Sequence, residues 1–254
     1  MKNKHYIILT LLIGFYVIIF AVQTAFAEQF PVVVEAEVRA ILSAEREGVL
    51  SSLRVDTGDW AKKGSTLAVV FHKNIILKKE QHEARRKYLA IQVENLTKLN
   101  EKNLVTYEEL ARAKTEQVVN AKEITIDETL IKRSKIRAPF SGTIVSRHIQ
   151  PHEWVKPGQP VVELYDPGRL RIVADIPSDI AVGLKKGQIH TLFFPDLNQQ
   201  VKAKIKVFSP QVDVRSNTIK VYWRVYSEKK KKTKVRLLPG MKGVLTIGGS
   251  EDSL

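Results

Sequence analysis

The sequence predicts a mainly β protein with an inserted α-helical coiled-coil hairpin: a flattened β-sandwich that the hairpin splits in two, followed by a small antiparallel β-barrel. Three observations predict it. Residues 48–64 align without a gap on residues 142–158 at an offset of 94, with Gly48, Trp60, Lys62 and Gly64 recurring as Gly142, Trp154, Lys156 and Gly158. Residues 72–133, between the copies, contain neither Pro nor Gly and are rich in Lys, Glu, Gln, Ala and Leu, the residue types that cost least in a helix. Beyond Tyr165, apolar and polar residues alternate, as where Val201, Ala203, Ile205 and Val207 interleave with Lys202, Lys204 and Lys206. That is the pattern of strands with one face buried and one in water.

Lys2 and Lys4 precede an uncharged run, 6–27, that ends Ala25, Phe26, Ala27. A positive start, an apolar stretch and small residues at the cleavage site make a secretory signal removed after Ala27. The same run, about 20 residues long, would span a hydrocarbon layer of ~30 Å if it stayed attached as an inner-membrane anchor. Segment 28–42 then supplies a first barrel strand, over 32–41, and a linker. Segments 43–71 and 134–166 are the two half-sandwiches, short strands broken by turns. Their conservative pairs keep the repeat register: Leu50 with Ile144, Val55 with Ile149, Leu67 with Val161, Val70 with Leu164. Gly64 and Gly158 mark tight turns of positive φ, where a Cβ would be penalised.

Within the hairpin, 72–133, the first arm carries Leu89, Val93, Leu96 and Leu99 at steps of four, three and three, a stripe for coiled-coil packing. The second carries Leu110, Val118, Ala121, Ile124 and Ile131. Lys114 and Glu128 fall at or near its inward positions, so a hairpin of modest stability is expected. The chain reverses over 100–106, and the Thr106 hydroxyl caps the second helix. Arms of about 27 residues, rising 1.5 Å each, reach roughly 40 Å. Strands at 170–176, 188–194, 201–208, 218–225 and 241–247 form the barrel, 167–248, which the N-terminal strand completes. Residues 249–254 are a tail.

The chain has no cysteine, which removes disulfides, thiol chemistry and a lipid attached through a thioether. A net charge of +14 is the balance of a nucleic-acid binder, but an export signal takes the protein away from nucleic acid. Anionic lipid or an acidic protein surface is the better physical partner.

This nested order resembles the HlyD/AcrA-type membrane fusion proteins. Residues 48–64 and the run Arg137, Ala138, Pro139, Phe140, Ser141, Gly142 look like the two half-motifs of that family's split lipoyl-like (barrel-sandwich hybrid) domain. Residues 208–213 and 238–241 resemble its barrel, and the resemblance covers about 32–248. It implies a non-catalytic periplasmic adaptor that assembles side by side into a homo-oligomeric ring. Such a ring links an inner-membrane efflux transporter to an outer-membrane TolC-like channel, with the hairpin tip facing the channel.

Adaptors of resistance-nodulation-division pumps show, at that tip, Arg-Leu, a second Leu three residues on, and a hydroxyl further along. Here the spacing reads Asn95, Leu96, Leu99 and Thr106, which makes these four the partner-binding candidates. Asn95 stands in place of the arginine, and Ala111 in place of an acid. Typical relatives continue into a membrane-proximal domain, whereas this sequence ends six residues after Gly248. The expectation is therefore that this domain is missing and that transporter contact falls to the barrel. Lys229, Lys230, Lys231 and Lys232 lie between two barrel strands and are candidates for transporter or membrane contact, at ~1 kcal/mol per basic residue near anionic headgroups.

Other chemistries find less support. A lipoyl or biotinyl carrier needs a lysine at the tip of the hairpin joining its halves, and here that position holds the helical insert. His148 and His152 have a zinc-like spacing, but the repeat places His148 on a strand, opposite Arg54, and His152 in a turn, opposite Gly58. A site would still need two more ligands. No Gly-rich phosphate loop opens a helix, and Ser141 reads as part of a strand-entry turn. No catalytic residue, cofactor or metal is assigned. The alternatives are an adaptor for an ABC-type or type I secretion exporter, and a stand-alone periplasmic protein that binds a ligand or metal.

Overall fold

The computed structural model describes residues 28–226 and 236–247; the segment expected to be a signal, 1–27, and Lys229 to Lys232 lie outside them. Two compact units divide the chain, one formed by 38–168 and the other by the flanking segments. Among the described residues no helix is long and apolar enough to cross a membrane.

In the first unit the two copies of the repeat interlock. Copy one supplies β2 (Arg39–Ser43), β3 (Gly48–Leu53), β4 (Trp60–Ala61) and β5 (Thr66–Val70). Copy two supplies β6 (Lys135–Arg137), β7 (Gly142–Arg147), β8 (Trp154–Val155) and β9 (Pro160–Tyr165). They form two four-stranded sheets, β2-β9-β7-β4 and β6-β5-β3-β8. Each sheet borrows a two-residue strand from the other copy: Trp60 pairs with Thr143, and Trp154 with Val49. The 94-residue offset maps one pairing onto the other. The repeat register becomes the core, where Leu50, Ile144, Leu67, Val161, Val70 and Leu164 are all buried together. Burial of such side chains contributes roughly 1.5–3 kcal/mol each. The repeated Trp60 and Trp154 lie on the surface, so their identity in both copies has no explanation in the core.

Gly64 and Gly158 both have φ of +82°, the turn conformation expected of them. Gly142 is a glycine for a different reason. A Cβ there would lie 2.2 Å from the carbonyl oxygen of Tyr165, because at this end of the β7–β9 antiparallel pair the two backbones approach closely.

The other unit is a closed barrel of order β1-β10-β13-β12-β11-β14, from β1 (Glu28–Ala36), β10 (Leu170–Pro177), β11 (Ile189–Phe194), β12 (Gln199–Asp213), β13 (Thr218–Val225) and β14 (Lys242–Ile247). The single strand expected over 32–41 is in fact two. β1 ends at Ala36 and joins the barrel, while Arg39–Ser43 pairs with β9 in the sandwich. Apolar alternation runs through both segments and carries no mark of the change of partner. Trp223 and Phe194 fill the barrel interior, and the Trp223 indole N–H donates to His190 Nδ1 at 3.2 Å. Outside, Glu37 accepts from Arg224 at 2.7 Å and Lys206 at 3.0 Å, and Arg224 first, then Lys206, holds its pKa below the usual carboxylate value.

Candidate functional site

Two helices, α1 (Lys73–Glu101) and α2 (Tyr107–Arg133), occupy the stretch of sequence between the repeat copies. They run antiparallel, as the cross-pairs Lys79–Glu128, His82–Asp127 and Arg85–Glu116 require. The reversal between them is tightly specified. Asn103 adopts the left-handed conformation with φ of 53°, the Leu104 N–H returns to Leu99 O at 3.0 Å, and the Asn100 amide donates to Val105 O at 3.1 Å. Thr106 then opens α2 with a complete capping box: its hydroxyl accepts the Glu109 N–H, and the Glu109 carboxylate accepts the Thr106 N–H. Such a cap contributes about 1 kcal/mol.

The four tip residues have different fates. Asn95 is exposed on α1, Leu96 is half-buried, and Thr106 is exposed with its hydroxyl committed to the cap. Leu99 is not in the seam. From Leu89 through Val93 and Leu96 the inward steps are four, then three, and the next step of four reaches Asn100. Leu99 is thereby turned outward, 38% exposed. Two residues not singled out from the sequence stand out further: Leu104, 67% exposed, and Tyr107, 79% exposed. Their signal was present, since Leu104 and Tyr107 are large apolar side chains in a reversal whose other residues, Val105 apart, are polar. Together Leu99, Leu104 and Tyr107 give the end of the helix pair an uncovered apolar surface.

The inward side of α2 also differs from expectation. Val118 and Ala121 are exposed and Lys114 points to water, whereas Leu110, Ala113, Asn120, Ile124 and Asp127 are the buried positions. A hydrophobicity reading passes over Asn120 and Asp127 because they are polar. They are inward because α1 supplies their partners. His82 Nδ1–H donates to Asp127 Oδ2 at 2.8 Å, and its Nε2 lies 3.5 Å from Glu123. The Asn120 amide donates to His82 O at 2.9 Å, and its Oδ1 is buried with no partner among the described residues. One turn away, Lys79 bridges Glu83 and Glu128; the Glu128 contact chiefly raises the Lys79 pKa, and Lys79 lowers that of Glu128.

On the sandwich, His148 sits 3.9 Å from the buried carboxylate of Glu163, and Ser146 is 3.3 Å from the same His148 nitrogen. Since one nitrogen faces both groups, the three do not form a relay in which the ring passes a proton from serine to carboxylate. His152 occupies its turn at φ of 74°, and Ser141 accepts the Lys63 N–H at 2.9 Å, tying the two copies together. Among the described residues no cluster of three or more His, Asp or Glu side chains could hold a metal ion.

Glu163 is instead held by Arg39, whose side-chain hydrogen bond is the largest cause of its lowered pKa, against the raising effect of burial. A native pKa below the unfolded one means the unfolded chain binds more protons on acidification. The stabilisation is therefore complete above the ordinary glutamate value of 4.5 and is lost as pH falls through the lower native value. Replacing Glu163 by Gln should flatten the acid limb of stability against pH below about 4.5, read by chemical unfolding at a series of pH values.

Residues 39–166 match the CzcB-like barrel-sandwich hybrid domain family. No curated protein matches the chain. Among solved structures, a MacA-MexA chimeric protein containing the Pseudomonas aeruginosa MexA α-hairpin domain superposes with a TM-score of 0.73 at 18% identity, over 89% of this chain and 83% of that one. The membrane fusion protein Spr0693 of Streptococcus pneumoniae R6 gives 0.70 at 15%, over 89% and 100%. ZneB of Cupriavidus metallidurans gives 0.58 at 16%, over 88% and 98%. With the family match spanning residues 39–166 around the interlocked repeat, the chain belongs to the family with a CzcB-like barrel-sandwich hybrid domain.

Proposed function

We propose that this protein is the periplasmic adaptor of a resistance-nodulation-division efflux pump. In this reading it is a non-catalytic coupler, exported by its N-terminal signal and assembled as a homo-oligomeric ring. The ring joins an inner-membrane transporter to an outer-membrane TolC-like channel. The observation that carries the proposal is the capped reversal between α1 and α2, which leaves Leu99, Leu104 and Tyr107 uncovered. A monomer has no reason to present two large apolar side chains on a rigidly specified turn, whereas a docking tip does. Asn95, Leu96 and Thr106 flank this surface, and Leu96 and Thr106 act mainly by shaping it. The helix pair serves as a coiled-coil spacer, and the barrel, with Lys229 to Lys232, meets the transporter or the anionic membrane.

Photo-crosslinking from positions 104 and 107 in cells tests the proposal. Capture of an outer-membrane channel from both positions, and not from the exposed Val118 further along α2, is the expected result. Loss of that capture in a Leu104→Asp/Tyr107→Asp variant that keeps the wild-type unfolding midpoint would support it further. Efficient expression with no channel captured from either position would sink it.

A further inference from the structure

The strands β2 and β6 each lie at one edge of a sandwich sheet. Beside them opens a cleft of about 510 Å3, lined among others by Ile41, Glu45, Lys132, Arg133, Lys135 and Arg137. We propose that this cleft binds small amphiphilic organic anions, with a carboxylate or phosphate head among the basic side chains and an apolar body over Ile41. The proposal is independent of the pump reading above.

Charge is the first argument. Four cations share the cleft with one carboxylate, Glu45, which is already taken by Arg133 at 3.1 Å. Arg137 spends one N–H on Gly64 O at 2.8 Å, leaving the rest of its guanidinium available. Lys132 and Lys135 make no salt bridge among the described residues. Lys132 and Arg133 stand in the last turn of α2, where the negative end of the helix favours cations. That accounts for those two and not for Lys135 and Arg137. These sit on β6 either side of the buried Ile136, so the strand period turns both to the cleft side.

The apolar component is the second argument. Ile41 is 56% exposed on β2, while its neighbours Ala40 and Leu42 pack on the sandwich core. An uncovered isoleucine in the same cleft as four cations suits a ligand with both an anionic end and an apolar end. The volume lies in the range of about 300–1,000 Å3 typical of small-ligand sites. Basic residues on outermost strands also guard against unwanted strand pairing, and in that role they would bind no small anion at all.

Equilibrium dialysis of the purified protein against decanoate, decylammonium and decanol separates these roles. Decanoate should bind saturably and better than either analogue. Lys132→Gln/Lys135→Gln should weaken it about ten-fold or more, and Ile41→Ser roughly three-fold, with unfolding curves unchanged for both variants. A parallel arm uses phosphatidylglycerol and phosphatidylcholine vesicles. Binding to the anionic vesicles alone, lost in the double variant, would assign the same head-group chemistry to lipid in place of a free amphiphile. The inference is overturned if neither decanoate nor anionic vesicles bind, if the double variant binds as well as wild type, or if decylammonium matches decanoate.

Discussion

Gly142→Ala should strongly destabilise the sandwich. The added Cβ would stand 2.2 Å from the Tyr165 carbonyl oxygen and 2.9 Å from its carbon, and both atoms belong to the backbone of β9, paired across β7. No side chain can turn aside to make room, so the strands must separate. A cost of about 3 kcal/mol or more is expected, a large part of the stability of a typical domain. Gly158→Ala is the matched control. It has nothing within 4 Å and a φ of +82°, so its cost is the conformational one of placing a Cβ in the left-handed region, about 1–2 kcal/mol. Chemical unfolding of both variants measures the difference. Equal destabilisation would mean that the close approach of β7 and β9 is not what requires glycine at 142.

His82→Ala should be the most damaging single change in the helix pair. It removes the ring that satisfies Asp127, a carboxyl only 1% exposed, in a seam where Asn120 Oδ1 is already buried with no partner among the described residues. Stranding a buried polar group in this way costs roughly 2–3 kcal/mol, more when it is charged. The double variant His82→Leu/Asp127→Leu should recover most or all of that loss, because apolar side chains of similar size need no partner in the seam. Thermal and chemical unfolding of the single and double variants complete the cycle. A double variant no more stable than His82→Ala would show that the pair contributes through more than mutual satisfaction.

These two residues mark different limits of sequence reading. The register that pairs Leu50 with Ile144 and Val70 with Leu164 was legible because the core selects apolar residues at fixed spacing, and divergence of the two copies left that spacing in place. The Gly64 and Gly158 turns were legible because one backbone conformation admits few residue types. The role of Gly142 was not, since a close approach between β7 and β9 depends on a strand that lies elsewhere in the chain. The seam of α1 was read one residue out at Leu99, where hydrophobicity favoured the wrong neighbour of Asn100. On α2 the reading chose Val118 over Asn120 and Asp127, because burial of a polar group is decided by the partner that meets it.

The sequence by itself determined the repeat as the origin of the sandwich and the Thr106 cap. Each follows from local propensity or from spacing within a short window. Only the tertiary structure decided that β1 and β2 part company after Ala36. It also decided that Leu104 and Tyr107 crown the reversal, that His82 faces Asp127, and that four cations collect beside Ile41. Each of those outcomes depends on which residues distant in sequence become neighbours, and packing, not local preference, makes that choice.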